Sequence, residues 1–290
     1  MHLTVRPATT DDGATLVRLL EAAYGGGYSA TFDRDGPLRP DDIWWVQSEK
    51  DVSVIEVDRQ PAGLLVVGRR GGQWLGEEVL LPGFGEFPAR TQDTLVQRMG
   101  AHLTALFQRG RQATLLARSA ETNAFGLALA RHLNAMLTNA LLVFRYHGPR
   151  RPSGRPPEGY QVRRSIPADA RAIGRLVREV VPERARAEEI ERVLGSREGR
   201  GYVAMKAEVL VGFAAVEVRA GRGDWIVGVR DSHRRRGVGR ALAQSVIGAL
   251  HSREPSPFAT AWALDPIAGP FLSALGFAVE RTYLYVERPL

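Results

Sequence analysis

The sequence repeats itself, and the repeat limits what the chain can fold into. Val5-Arg6-Pro7-Ala8, followed by Asp12, Leu16 and Leu19, returns as Val162-Arg163-Arg164-Ser165, followed by Asp169, Ile173 and Leu176, at a constant offset of 157. Val54-Ile55-Glu56-Val57 returns as Tyr202-Val203-Ala204-Met205 at an offset of 148, and after a turn Gly63-Leu64-Leu65-Val66-Val67 returns as Gly212-Phe213-Ala214-Ala215-Val216 at an offset of 149. Leu80-Leu81-Pro82 against Val229-Arg230-Asp231 keeps that offset. One matching block can arise by chance, but three in order indicate tandem duplication, with eight extra residues in the first copy.

Each copy reads as strand, helix, helix, hairpin, strand, helix, strand, helix and terminal strands. The apolar residues recur at helical spacing after each Asp, and the paired runs alternate around turns. This predicts an α+β fold with a mixed, mostly antiparallel sheet flanked by helices, present twice. The segment His147–Gly159, HGPRRPSGRPPEG, is too rich in proline and glycine for a helix or a central strand. The expected division is residues 1–146, a linker at 147–159, and residues 160–290.

Composition excludes several chemistries. There is no cysteine, hence no disulfide, thiolate metal site or thiol nucleophile. The two lysines, Lys50 and Lys206, do not follow a glycine, which excludes a P-loop. The six histidines include no close pair at helical spacing, so no metal site is expected. There is neither a signal-peptide pattern nor an apolar run of the ~20 residues that span a bilayer, so a cytoplasmic protein without membrane contact is expected. The net charge of +7 is unevenly placed. Residues 1–150 hold 16 basic and 16 acidic side chains; residues 151–290 hold 23 and 16. Arginine in place of lysine is what a GC-rich genome produces without functional cause. The concentration of charge in the second half has a different meaning.

That half carries the most informative segment. Asp224-Trp225-Ile226-Val227-Gly228-Val229 reads as a buried strand. Arg230 to Arg240 follows, then a helix with Leu242, Val246 and Leu250 on one face. A strand, a glycine loop and a helix start make an anion site, because the first amides of a helix lack internal partners and the helix dipole adds positive character. Gly237 and Gly239 let backbone amides approach an anion without a Cβ in the way. Arg234, Arg235, Arg236 and Arg240 add charge-assisted donors. The third glycine of a dinucleotide fingerprint is missing. A plain helix start with a solvated basic turn is the simpler alternative.

Arg234-Arg235-Arg236-Gly237-Val238-Gly239 after a strand ending at Val229 resembles the acetyl-CoA motif of the GNAT acyltransferase superfamily. Asp265-Pro266-Ile267-Ala268 through Phe271-Leu272 to Leu275-Gly276-Phe277 resembles its second motif. The resemblance covers about residues 160–290. It implies two tandem GNAT-like domains, with acetyl-CoA as cosubstrate in the second. Amides of Arg234, Arg235, Arg236, Gly237, Val238, Gly239 and Arg240 would hold its pyrophosphate. Backbone near Val227 and Val229 would bond its pantetheine arm, in an opening between strand 225–229 and strand 258–263. Asp265 stands where the family has asparagine, either near the cofactor or as a helix cap. The acyl group would pass directly to an amine, a small molecule or a peptide N-terminus.

Two departures bear on the chemistry. The family's tyrosine, often the acid for the leaving thiolate, falls on Leu272, which has no proton to give. Tyr283 and Tyr285 are the substitutes, with strand packing as their simpler role. Glu217 and Asp224, at the ends of the third and fourth strands, are the candidate general bases. His233 in the loop faces phosphate or solvent. In the first copy, Gly85-Glu86-Phe87-Pro88-Ala89-Arg90 replaces the loop, with an anion and a missing amide, and this copy should not bind pyrophosphate. Its insertion, Gly25-Gly26-Gly27-Tyr28 to Trp44-Trp45, offers a mobile loop with tryptophans for packing or for an acceptor pocket. The corresponding Glu183 to Leu194 reads as a charged amphipathic helix beside that pocket.

The leading expectation is thus an acyl-CoA-dependent N-acetyltransferase, monomeric or homodimeric. The alternative is a non-catalytic acyl-CoA-binding or sensor module, motivated by Leu272. A nucleic-acid partner is not expected, because aromatics are not interleaved with the arginine run.

Overall fold

The computed structural model describes residues 2–24, 50–70, 73–149, 155–180, 199–219, 222–251 and 258–290. The Gly25 to Trp45 insertion and the Glu183 to Leu194 segment lie outside the described residues. The chain forms two compact units: Met1–Val143 with Trp262–Asp265 and Arg281–Leu290, and Phe144–Ala261 with Pro266–Glu280.

The first unit is built on β1 (Leu3–Pro7), α1 (Gly13–Tyr24), β2 (Asp51–Val57), β3 (Gln60–Arg70), β4 (Gln73–Leu80), α2 (Ala89–Arg109), β5 (Thr114–Ala120), α3 (Ala124–His132) and β6 (Met136–Tyr146). The chain continues with β7 (Gln161–Arg164), α4 (Ala170–Val180), β8 (Gly199–Lys206), β9 (Val209–Arg219), β10 (Arg222–Val229), α5 (Val238–His251), β11 (Phe258–Trp262) and α6 (Ala268–Ala274), and ends on β12 (Phe277–Pro289), whose residues from Arg281 on belong to the first unit. Two sheets result, in the orders β1-β2-β3-β4-β5-β12-β6-β11 and β10-β9-β8-β7. Pairing is antiparallel in β1–β2–β3–β4, β5–β12 and β7–β8–β9–β10, and parallel between β4 and β5. The fold is the expected mixed α+β architecture. The terminal strands expected of each copy are one long strand each, β6 and β12.

The repeat is visible in detail. Arg6 donates to both oxygens of Asp12 at 2.8 Å, and Arg163 to those of Asp169 at 2.8 and 2.7 Å. The same carboxylates accept the amides of Thr9 and Ile166, each at 2.8 Å. The first strand of each unit is thereby stapled to its first helix. Each hairpin turns through two non-glycine residues at positive φ, Asp58 and Arg59 or Ala207 and Glu208. Each then carries one extra residue in its second strand, Ala62 or Val211. All of these match at the sequence offsets.

In the second unit, β7 to β10 lie between two helices. Ile173, Leu176 and Val177 of α4 pack on Val203, Phe213 and Ala215. Val238, Leu242, Val246 and Leu250 of α5 pack on Ala204, Val211, Ala214 and Val216, with Trp225, Val227 and Val229 at the margin. The i, i+4, i+8, i+12 spacing sets the α5 face. This packing fixes where α5 begins, and so fixes the loop before it. In the first unit, Leu95, Met99, Leu103 and Phe107 of α2 play the same part against Leu65 and Val67 of β3.

Candidate functional site

The segment between β10 and α5 begins with Arg230, whose amide donates to Val211 O at 2.9 Å. An antiparallel ladder alternates the direction of its backbone groups. Arg230 and Gly228 therefore face β9, while Val227 and Val229 present their backbone groups away from it. β10 is the end strand of its sheet, so that side is an open edge. Val229 O accepts Arg234 Nε at 3.0 Å.

After Arg230 the chain makes one tight turn over Asp231–His233. The turn is closed by His233 N donating to Arg230 O and Arg234 N to Asp231 O. Arg235 and Gly237 then take φ of 59° and 84°. The first bond of α5 runs from Ala241 N to Gly237 O at 3.1 Å. The amides of Val238, Gly239 and Arg240 precede it and have no partner within the helix. Asp231, Ser232, Arg234, Arg235, Arg236 and Gly237 are exposed, while Val238 is buried and anchors the helix start. A Cβ at Gly239 would reach only ordinary contacts, 3.6 Å to Val229 and 3.8 Å to Phe271. The residues fit a bound pyrophosphate: free amides, a left-handed glycine and a ring of cations.

Three further residues converge here. Tyr160 Oη lies 3.0 Å from His233 Nδ1, with the two rings edge to face. Lys206 Nζ sits over the Tyr160 ring at 5.3 Å. Pro157 would be 3.2 Å from a Cβ on Gly237, so the end of the linker lies against the loop. Burial pushes the His233 imidazole below its usual pKa, and Lys206, Arg236 and Arg230 push the same way. Arg230 and Arg234 are occupied, by Glu179 at 2.8 Å and Asp231 at 2.7 Å. Among the described residues, Lys206, Arg235, Arg236 and Arg240 have no carboxylate partner.

The other sequence candidates fall as follows. Asp224 and Glu217 are register partners across β10 and β9. Leu272 is buried in α6 and packs. Asp265 is exposed, two residues before the N-cap position of α6, Ile267. Tyr283 is fully buried, pairs with Ala120, and belongs to the first unit rather than the one that carries the loop. Arg118 lies over its ring at 5.5 Å, in keeping with the strand-packing role. Among the described residues no cluster of His, Asp and Glu is arranged for a metal, and no helix is long and apolar enough to cross a membrane.

The equivalent place in the first unit is closed from within. β4 and β5 pair only at Leu75–Leu116 and Gly76–Ala117, and beyond that they part. β4 carries a bulge at Glu77 that β10 lacks, so Glu77 and Glu78 are both buried. Glu77 binds Lys50 at 2.6 Å and Arg118 at 3.5 Å, and Arg118 reaches Tyr285 Oη at 3.3 Å. Burial works against the Arg118 charge, but Tyr285 and the two carboxylates outweigh it and hold its pKa above the ordinary value. The carbonyls that β4 would offer a ligand are taken: Glu77 O by Arg118 Nε at 3.3 Å and Val79 O by Asn123 Nδ2 at 2.9 Å. At the helix start, Pro88 is the N-cap of α2 where Gly237 stands in the second copy, and it has no amide to offer.

Comparison with known proteins bears on the fold. Residues 225–286 match the model of the FR47-like protein family. Among curated proteins there is no match. The chain is similar in structure to a GCN5-related N-acetyltransferase from Sphaerobacter thermophilus, at 18% identity and a TM-score of 0.68, covering 99% of this chain and 95% of that one. It is similar to a tandem GNAT protein from the clavulanic acid biosynthesis pathway, at 18% identity and a TM-score of 0.64, covering 99% and 98%. It is also similar to a GNAT-family acetyltransferase from Colwellia psychrerythraea, at 12% identity and a TM-score of 0.60, covering 98% and 99%.

Proposed function

We propose that this chain, which has the GCN5-related N-acetyltransferase fold in its tandem form, is an acyl-CoA-dependent N-acyltransferase with its cofactor site in the second unit. The observation that carries the reading is the loop from Arg234 to Arg240, with its helix-start amides free, beside the open edge of β10. Acetyl-CoA supplies the activated acyl thioester. The amides of Val238, Gly239 and Arg240 hold its pyrophosphate, and Arg235, Arg236 and Arg240 neutralise it. Backbone groups of Val227, and the amide of Val229 whose carbonyl is held by Arg234 Nε, align the pantetheine arm as an added strand would be aligned.

The acceptor is an amine, a small molecule or a peptide N-terminus, and must lose a proton to attack. Glu217 and Asp224 are the groups assigned to take it, because they share one rung of the β9–β10 ladder at the end away from the loop. Leu272 leaves the departing thiolate without a tyrosine donor. The cofactor's thiol is stable enough as the anion for that loss to be tolerated. The first unit does not bind acyl-CoA, since its own side chains occupy the corresponding groups.

Calorimetry with acetyl-CoA tests the site, and no heat at millimolar ligand would sink the proposal. Acceptor-dependent release of CoA thiol across an amine panel tests the reaction. The expected result is turnover that falls by about 10²- to 10⁴-fold in either Glu217→Gln or Asp224→Asn. The second reading, a non-catalytic acyl-CoA-binding module, is favoured by the buried Leu272. Tight binding without turnover on any amine would select it.

A further inference from the structure

We infer that Tyr160, Lys206 and His233 form a second anion subsite beside the glycine loop, fitted to a phosphomonoester such as the 3′-phosphate of coenzyme A. The inference rests on the acyl-CoA reading of that loop and goes further, because it assigns a separate group of side chains to a separate phosphate.

The three residues come from different elements: the end of the linker, the end of β8, and the turn after β10. Their meeting is therefore a product of the fold and not of a local charge run. They are also held in place. The Tyr160 hydroxyl bonds one imidazole nitrogen and so fixes the ring plane of His233, leaving Nε2 as the free donor when the ring is protonated. The Tyr160 ring in turn holds the Lys206 ammonium.

The electrostatics are unfavourable without a ligand. His233 is faced by Lys206 from β8, by Arg230 from the end of β10 and by Arg236 from the loop, with the neutral Tyr160 on its remaining side. Among these only Arg230 has a carboxylate partner. A pyrophosphate diester brings about two negative charges, and the loop has its own amides and Arg235, Arg236 and Arg240 for those. Lys206 and His233 are surplus to that task. A phosphomonoester dianion next to them would offset the repulsion and draw a proton onto His233, as an anion raises the pKa of a neighbouring imidazole.

Calorimetry on the full chain with coenzyme A and with 3′-dephospho-coenzyme A tests this. The wild type is expected to bind coenzyme A at least ten-fold more tightly. In Lys206→Met, His233→Ala and Tyr160→Phe that preference should shrink toward unity, while affinity for the dephospho compound stays within about two-fold. Titration in two buffers of different ionisation heat should show proton uptake with coenzyme A near pH 7, absent with the dephospho compound and absent in His233→Ala. Unchanged circular dichroism would exclude misfolding of the variants. Equal wild-type affinity for the two ligands overturns the inference and leaves the cofactor site standing. Equal loss of both ligands in the variants also overturns it, since the residues would then merely support the loop. If neither ligand binds the wild type, the cofactor reading itself falls and this inference with it.

Discussion

Gly237 and Gly239 are two residues apart, yet replacing each by alanine should have opposite effects on folding. Gly237 sits at φ 84°, where an L-residue pays about 1–2 kcal/mol, and its new Cβ would press Pro157 at 3.2 Å. Gly239 is in the first turn of α5, and its Cβ would meet Val229 and Phe271 only at van der Waals distance. Alanine there restricts the unfolded chain and should be neutral or stabilising by up to about 1 kcal/mol. Ligand binding breaks the symmetry in another way. The Gly239 amide is free because an anion is meant to approach it, so a methyl group there costs affinity without costing stability. Loss of one or two charge-assisted bonds at roughly 1.5–3 kcal/mol each corresponds to a ten-fold to several-hundred-fold weaker Kd. Urea unfolding of the second unit, followed through Trp225, and calorimetry with acetyl-CoA would be run on both variants. Gly237→Ala should lose stability and affinity together, and Gly239→Ala affinity alone. Full acetyl-CoA affinity in a stably folded Gly239→Ala would refute the placement of the pyrophosphate.

Three further outcomes are expected. Arg118→Met should destabilise the first unit by up to about 3–5 kcal/mol, because it removes a buried cation from beside Glu77 and Glu78 and leaves Lys50 to balance Glu77; adding Glu77→Gln should recover part of that loss in a denaturant titration. The carboxyls of Asp12 and Asp169 are held below their ordinary pKa, first by the arginine hydrogen bonds. Their contribution is therefore complete above the unfolded carboxyl value of about 3.9 and lost as pH falls through the lower folded value. Asp12→Asn should accordingly cost stability at pH 7, and the difference from wild type should vanish in strong acid; a constant difference down to pH 2 would contradict the assignment. Removing residues 281–290 should unfold the first unit although the deletion is at the other end of the chain, since Tyr283 to Pro289 pair with Ala120 to Thr114; retained helix signal from residues 1–146 in limited proteolysis would oppose this.

Much of the fold was legible because the duplicated elements are local. The Arg–Asp staple spans six residues, and the hairpin a dozen or so, so each leaves a short pattern that recurs at a fixed offset. The anion loop was legible for the same reason: its strand, glycines and helix start are contiguous. What the sequence concealed is non-local. Tyr160, Lys206 and His233 are separated by dozens of residues, and nothing in the pattern around any one of them points to the others. The bulge at Glu77 arises from a register difference, with no inserted residue to mark it. Nor did the alternation in Thr282-Tyr283-Leu284-Tyr285 say which sheet it would join. Tyr283 is written in the second half but pairs with Ala120 of the first.

That last strand has a consequence for synthesis. The first unit needs Arg281–Leu290, down to the Leu290 amide that donates to Ala113 O and a Leu290 side chain packed on the α2 core. A ribosome delivers those residues only after the loop and helices of the second unit. The N-terminal unit, most of which is made before the second, must wait for residues 281–290 before the gap between β5 and β6 can be filled. Until then two exposed strand edges flank the gap, at the stage when nascent chains are most prone to mispair. In this chain the order of translation and the order of completion run in opposite directions for the first unit, so a prematurely terminated product lacks a finished domain even where it contains every residue from 1 to 146.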